Sequence, residues 1–173
     1  MSATVGTEAP AFSLPDTEGV EHSPGGAPAT LVVFTCNHCP YALAWHDRIA
    51  AVARDYDDVK VLAINPNDAE RYPRDSYEAM RRRVADDGGW PMPYLRDESQ
   101  EVARAYGART TPDCFVLDAD GRIVYRGAPD ADYEDPSLDA AWLREALDAV
   151  LAGSEPATSE TKPVGCSIKW KDG

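Results

Sequence analysis

Lysine is scarce in this 173-residue chain. Lys60, Lys162, Lys169 and Lys171 are the full complement, against 30 Asp and Glu, and the net charge is −13. Phosphate binding needs concentrated positive charge, and only Arg81-Arg82-Arg83 clusters it, so no nucleic-acid partner is expected. That triplet reads as a solvated helix face. Long apolar runs are also missing: nothing approaches the roughly 20 residues of a membrane helix. Met1 to Pro10 is polar and lacks the features of a secretion signal, so the expectation is a cytoplasmic protein with no membrane partner. Histidine is confined to His22, His38 and His46, and cysteine to Cys36, Cys39, Cys114 and Cys166. In a reducing compartment four cysteines do not form a structural framework, which leaves catalytic or free thiols as their use. Internal repeats are absent. The remaining composition, 43% hydrophobic, suits a single domain with a sizeable core. The acidic, lysine-poor balance is similar to that of proteins from salt-loving microbes, whose hydrated carboxylates maintain solubility.

Cys36-Asn37-His38-Cys39-Pro40 stands out against this background. Leu31 to Phe34 reads as a short buried strand, and Tyr41 to Tyr56 repeats Ala and Ile at helical spacing, so Cys36 is expected to cap the first helical turn. Unpaired N–H groups there favour a thiolate by about 0.3–1 kcal/mol, which moves a thiol pKa by less than one unit from about 8.5. His38, held near the Cys36 sulfur, would supply the rest. Zinc is the rival reading, because C-x-x-C is half of a tetrahedral thiolate site. The other half is missing: Cys114 and Cys166 stand alone, and His22 and His46 sit at no ligand spacing. The reading is therefore a redox dithiol with no metal and no cofactor.

A second stretch, Arg109 to Asp118, leads through Asp120-Gly121 into Arg122 to Gly127, which reads as a β-hairpin. Pro112 directly precedes its first strand, where a cis bond costs only about 0.5–1 kcal/mol. The other expected elements are a hairpin near Ala11 to Val20, a strand at Val59 to Asn65, a helix at Ser76 to Ala85 and a short strand at Tyr94-Leu95. Helices at Ser99 to Tyr106 and Ser137 to Leu151 complete the order, the last with Leu138, Trp142, Leu143, Leu147, Val150 and Leu151 on one face. Strand and helix alternate first and antiparallel strands follow, which implies an α/β chain with a central mixed sheet flanked by helices.

With these motifs the chain resembles the thioredoxin-like superfamily, in its redoxin (alkyl hydroperoxide reductase/thiol-specific antioxidant) branch. Gly6 to Gly19 is similar to the redoxin opening, and Thr111-Pro112 to the cis-Pro loop. Cys36 to Tyr41, Asp97 to Ala108 and Gly165 to Trp170 resemble a subgroup similar to thiol-disulfide isomerases and thioredoxins. The resemblance implies a thioredoxin-like fold with an N-terminal β-hairpin extension over residues 1–152, followed by a linker and tail at 153–173 that carries Cys166. Cys36, as the more exposed thiol, should attack a substrate disulfide, and Cys39 should resolve the mixed disulfide. Asn37, His38 and Pro40 should tune the site or meet substrate, and Thr111 with cis Pro112 should pair with an extended substrate strand. The implied partners are a disulfide-bearing protein or small molecule and a thiol reductant or reductase. Thioredoxins carry a buried acid ahead of the dithiol, where this chain has Val32, Val33 and Thr35; Asp113 is the candidate substitute. Cys114 reads as a core residue able to approach the dithiol. Cys166 lies in a segment that is disordered by default, or else docks as an added strand as a third redox thiol. Two alternatives remain: a peroxiredoxin-like thiol peroxidase and a redox-inert thioredoxin-like binding module. A peroxidatic Cys39 would need Thr or Ser three residues earlier, where Cys36 stands, and an activating Arg that cannot be assigned.

Overall fold

The structure, a computed structural model, describes residues 3–172. Six consecutive buried residues, Ala29–Phe34, form the central strand β3, after a short hairpin of β1 (Leu14–Pro15) and β2 (Glu21–His22). Helix α1 (Pro40–Asp55) follows, with Pro at its first position, where an N–H would be unpaired in any case. Strand β4 (Val59–Asn65) pairs parallel with β3, and after a 3-10 turn at Pro73–Asp75 come α2 (Tyr77–Asp86) and β5 (Tyr94–Arg96). The second half supplies α3 (Glu101–Tyr106), β6 (Thr110–Thr111), β7 (Asp113–Leu117), β8 (Ile123–Gly127), α4 (Ala141–Leu151) and β9 (Cys166–Ser167).

The main sheet runs β5-β4-β3-β7-β8, with β5, β4 and β3 parallel and β7 and β8 antiparallel. This is the thioredoxin-like architecture with its small N-terminal hairpin sheet. Alternation along β3 divides the core: Leu31 and Val33 face Trp45, Ile49 and Val52 of α1 and Leu143 and Leu147 of α4. Val32 and Phe34 face Ala103 and Tyr106 of α3, together with Ile168 from the tail. A strand covered on both sides reads as a continuous apolar run, as Ala29 to Phe34 does. No helix among the described residues is long and apolar enough to cross a membrane.

Two helices start later than their periodicity suggests, because local turns take the first residues. Ser137 N–H donates to Asp135 Oδ1 (3.0 Å), and Ala140 sits at φ 63°, so α4 begins at Ala141 and not at Ser137. Likewise Gln100 lies at φ 66° and α3 begins at Glu101.

The tail is ordered, against the default expectation of disorder. Arg126 N–H donates to Ser159 O (3.1 Å) and Thr161 N–H to Arg126 O (3.0 Å), laying this segment beside β8. Gly127, at φ 143°, leaves the room Thr161 occupies. Further on Ile168 is buried, Trp170 receives the Arg104 guanidinium at 4.3 Å, and Lys169 N–H donates to Asn67 Oδ1 (2.9 Å). Burial of the apolar pair and these bonds offset the ordering entropy that keeps a free polar tail mobile.

Candidate active site

The loop between β3 and α1 carries the paired thiols, and it is pinned from below. Asn37 N–H donates to Asp75 Oδ1 (2.7 Å), and its side-chain amide donates to Arg74 O (2.8 Å). Its Oδ1 accepts from Arg83 Nη1 (2.9 Å) and Tyr94 OH (2.7 Å). Asn37 is thus an anchor with every side-chain group engaged. Asp75 is fully buried and takes amides from Asn65 and Asn67, each at 3.0 Å. His38 Nδ1 lies 2.6 Å from the other Asp75 oxygen, and its ring stacks on Tyr72 at 5.7 Å.

Two expectations about the thiols are corrected. The helix cap is Cys39, not Cys36: α1 starts at Pro40, because the chain from Cys36 to His38 is held away by the bonds to Asp75 and Arg83. Cys36 is also not the exposed member, for both cysteines are buried, at 1% and 0% exposure. Cys36 Sγ lies 3.3 Å from Thr111 Oγ1, and Cys39 Sγ lies 3.1 Å from Thr111 O. Thr111-Pro112 is the cis peptide expected in this loop.

Of the paired sulfurs, Cys39 is the one that is lowered. Its thiol is pushed well below the ordinary range, first by the hydrogen bond from Cys36, then against burial by the Cys166 side chain and by the N–H groups of Ala42 and Cys166. The Thr111 carbonyl opposes this, since it accepts only from a protonated sulfur, but the donors outnumber it. Cys36 is raised, first because its proton is held by Cys39, then by burial and the Asp75 charge. Two sulfurs sharing one proton titrate as a pair. The imidazole of His38 is not what tunes Cys36; the backbone of His38 lowers that thiol, and the ring is turned to Asp75.

The remaining candidates separate. Asp113 is buried, not solvated, and its carboxylate accepts from Arg109 N–H (3.1 Å) and pairs with Arg126 at 3.5 Å. Cys114 belongs to the α1-side core with Val33 and Val116, outside the cluster formed by Cys36, Cys39 and Ala42. Cys166 packs against that cluster, and its strand β9 pairs with β6, placing Cys166 opposite Thr111. Pro40 serves the helix start.

Asp75 and Arg83 went unsuspected. Arg83 is no solvated member of a basic triplet: it donates to Cys36 O (3.1 Å) and covers Trp90 at 4.8 Å. Its spacing of three from the buried Met80 put it on the inward face of α2, a signal present in the sequence. Asp75 sits just before the Ser76 cap of α2 and gave no such signal. Among the described residues, Cys36, His38 and Asp75 could hold a metal ion, their atoms lying within 4.8 Å of one another. Asp75 is already occupied by three amide donors, so the fit to zinc is poor.

The AhpC/TSA family model matches residues 5–126. No curated protein matches the chain. Among solved structures, an uncharacterized conserved protein from Geobacillus kaustophilus is 39% identical, with a TM-score of 0.92 over 98% of this chain and 94% of that one. A hypothetical protein from Sinorhizobium meliloti is 40% identical, with a TM-score of 0.91 over 100% and 98%. A protein from Neisseria meningitidis named as a thioredoxin is 28% identical, with a TM-score of 0.67 over 84% and 91%.

Proposed function

Since the chain belongs to the AhpC/TSA family, with its thioredoxin-like fold and redox function, we propose that it is a thiol-disulfide oxidoreductase that works through Cys36 and Cys39. The observation that supports this reading is a pair of buried sulfurs sharing a proton, beside a cis Thr111-Pro112 peptide and at the N-terminus of α1.

The proposed order of attack starts from the lowered sulfur, Cys39, in place of Cys36, the attacker that the family resemblance implies. Cys39 Sγ, the thiolate, attacks one sulfur of a substrate disulfide; the substrate S–S bond breaks and one substrate thiolate leaves. Cys36 then loses its proton to the adjoining His38 and Asp75 groups, whose atoms lie within 4.8 Å of its sulfur. Its thiolate attacks Cys39 Sγ, the mixed disulfide breaks, and the second substrate thiolate leaves. The substrate has gained two electrons and the protein holds a Cys36–Cys39 disulfide, which an external dithiol resets. Run backwards, the same steps oxidise a substrate dithiol. A low thiolate pKa makes Cys39 a good leaving group as well, which favours the reverse direction. The substrate is a disulfide in an extended chain segment able to pair with Thr111, as β9 does.

Insulin reduction and peroxide consumption, run side by side, test this. The wild type should reduce insulin, and Cys39→Ser should lose that activity by at least about 10³-fold together with the thiolate absorbance near 240 nm at pH 7. Cys36→Ser should accumulate a mixed disulfide on Cys39. A wild type that consumes peroxide but leaves insulin intact would establish the peroxidase reading instead.

A further inference from the structure

A third sulfur stands at the site, delivered by the chain's own end. Strand β9 pairs with β6 in the register Thr111↔Cys166 and Thr110↔Ser167, so it lies along the edge beside the cis proline. Gly165 permits the approach: a Cβ there would fall 2.7 Å from the Thr111 carbonyl carbon and 3.1 Å from the Pro112 nitrogen. The far end of the strand is latched. Ile168 N–H donates to Arg109 O (3.1 Å), and Gln100 Nε2 donates to Lys169 O (2.9 Å) while Gln100 Oε1 accepts from Lys171 N–H (3.0 Å). Cys166 itself packs on the Cys36–Cys39–Ala42 cluster, and its side chain and backbone both lower the Cys39 thiol.

We propose that Cys166 is a third redox thiol, which takes over the site disulfide by bonding to Cys39, so that the oxidised protein carries a Cys39–Cys166 bridge and a free Cys36. The inference rests on the dithiol reading above and extends it. The step balances without any added oxidant. The Cys166 thiolate attacks Cys39 Sγ of the Cys36–Cys39 disulfide; the new S–S bond forms as the old one breaks, and the electron pair leaves with Cys36 Sγ. The proton lost by Cys166 is regained at Cys36, next to His38 and Asp75.

The coupling between Cys166 and Cys39 orders the events. In the reduced site Cys166 is pushed up to about 11, by burial and then by the Cys39 thiolate that holds its proton, against the nearby Lys169 charge. Once Cys39 is bonded to Cys36 it carries no charge, both of its contributions vanish, and Cys166 ionises more readily. The third thiol therefore ionises most readily after the first two have reacted.

The full-length reduced protein, oxidised with limiting glutathione disulfide at pH 7, acid-quenched, alkylated and mapped by mass spectrometry, tests the proposal. A Cys39–Cys166 peptide together with alkylated Cys36 is expected. Gly165→Val, which keeps every thiol, should cut the yield of that bridge about tenfold by forcing β9 off Thr111, while the Cys36–Cys39 bridge still forms. A Cys36–Cys39 bridge alone, with Cys166 fully alkylated, or a bridge yield untouched by Gly165→Val, overturns this inference and leaves the dithiol reading standing. A protein that forms no bridge at Cys39 with either partner, and leaves insulin intact, overturns both.

Discussion

Asp113 is a buried carboxylate with an incomplete set of partners. Arg109 N–H and the Arg126 guanidinium face it, Oδ1 has no partner, and burial pushes its pKa from 3.8 up to about 6. The folded protein therefore keeps this proton up to about pH 6, whereas the unfolded chain gives it up near 3.8. Stability contributed by the protonated form is complete at pH 3.8 and below, falls as pH rises to about 6, and is constant above. A rise of that size corresponds to about 3 kcal/mol. Asp113→Asn should remove this fall, so that urea unfolding at pH 4 and pH 7 differs by up to about 3 kcal/mol less than in the wild type. Equal pH dependence in the two proteins would contradict the assignment. At this scale Cys36, Cys39 and Thr111-Pro112 were legible, because spacing and a proline are local. Asp75 was hidden, because its partners are Asn65 at the end of β4 and Asn67 just beyond it, and Pro73-Arg74-Asp75-Ser76 reads locally as a loop.

Between elements, one carboxylate joins α1 to the segment ahead of α4. Asp130 accepts from Trp45 Nε1 (2.9 Å), from Arg48 Nη1 on both oxygens (3.0 Å) and from Ala140 N–H (2.9 Å). Arg48 spends its other N–H groups on the carbonyls of Asp132, Tyr133 and Asp135. Asp130→Ala would leave the largely buried Arg48 charge without its counter-ion and the Trp45 indole N–H without an acceptor, and a loss of about 3 kcal/mol in chemical unfolding is expected. A loss under about 1 kcal/mol would place the pair among weak surface bridges. The elements themselves were readable where the pattern is strong: β3, β4, α1 and the β7–β8 hairpin follow their apolar runs. α4 started four residues late, because Asp130 and Asp135 capture the N–H groups that periodicity assigned to a helix. β9 had only Ile168 and Trp170 as a pattern, and a two-residue strand is defined by the edge it meets, which no local signal names.

Over the whole molecule, a net charge of −13 repels itself, and most ion pairs among the described residues have at least one exposed partner. Exposed pairs contribute little, so salt removes more repulsion than attraction. Screening shortens from about 10 Å at 0.1 M to about 3 Å at 1 M. The melting temperature should therefore rise from near-zero to molar sodium chloride, and equal midpoints would contradict a stability limited by charge. The α/β order and the mixed sheet were legible at this scale because each layer buries its own apolar face. The closure of the chain's end over the dithiol was not, since it depends on Thr111 and Cys166, far apart in the sequence, meeting at one edge. That closure also sets the terms on which clients compete. A strand tethered beside its own groove acts at a local concentration on the order of millimolar, so a short free peptide must outcompete a neighbour that never diffuses away, and weak capture of such peptides would report the tether and not a poor groove.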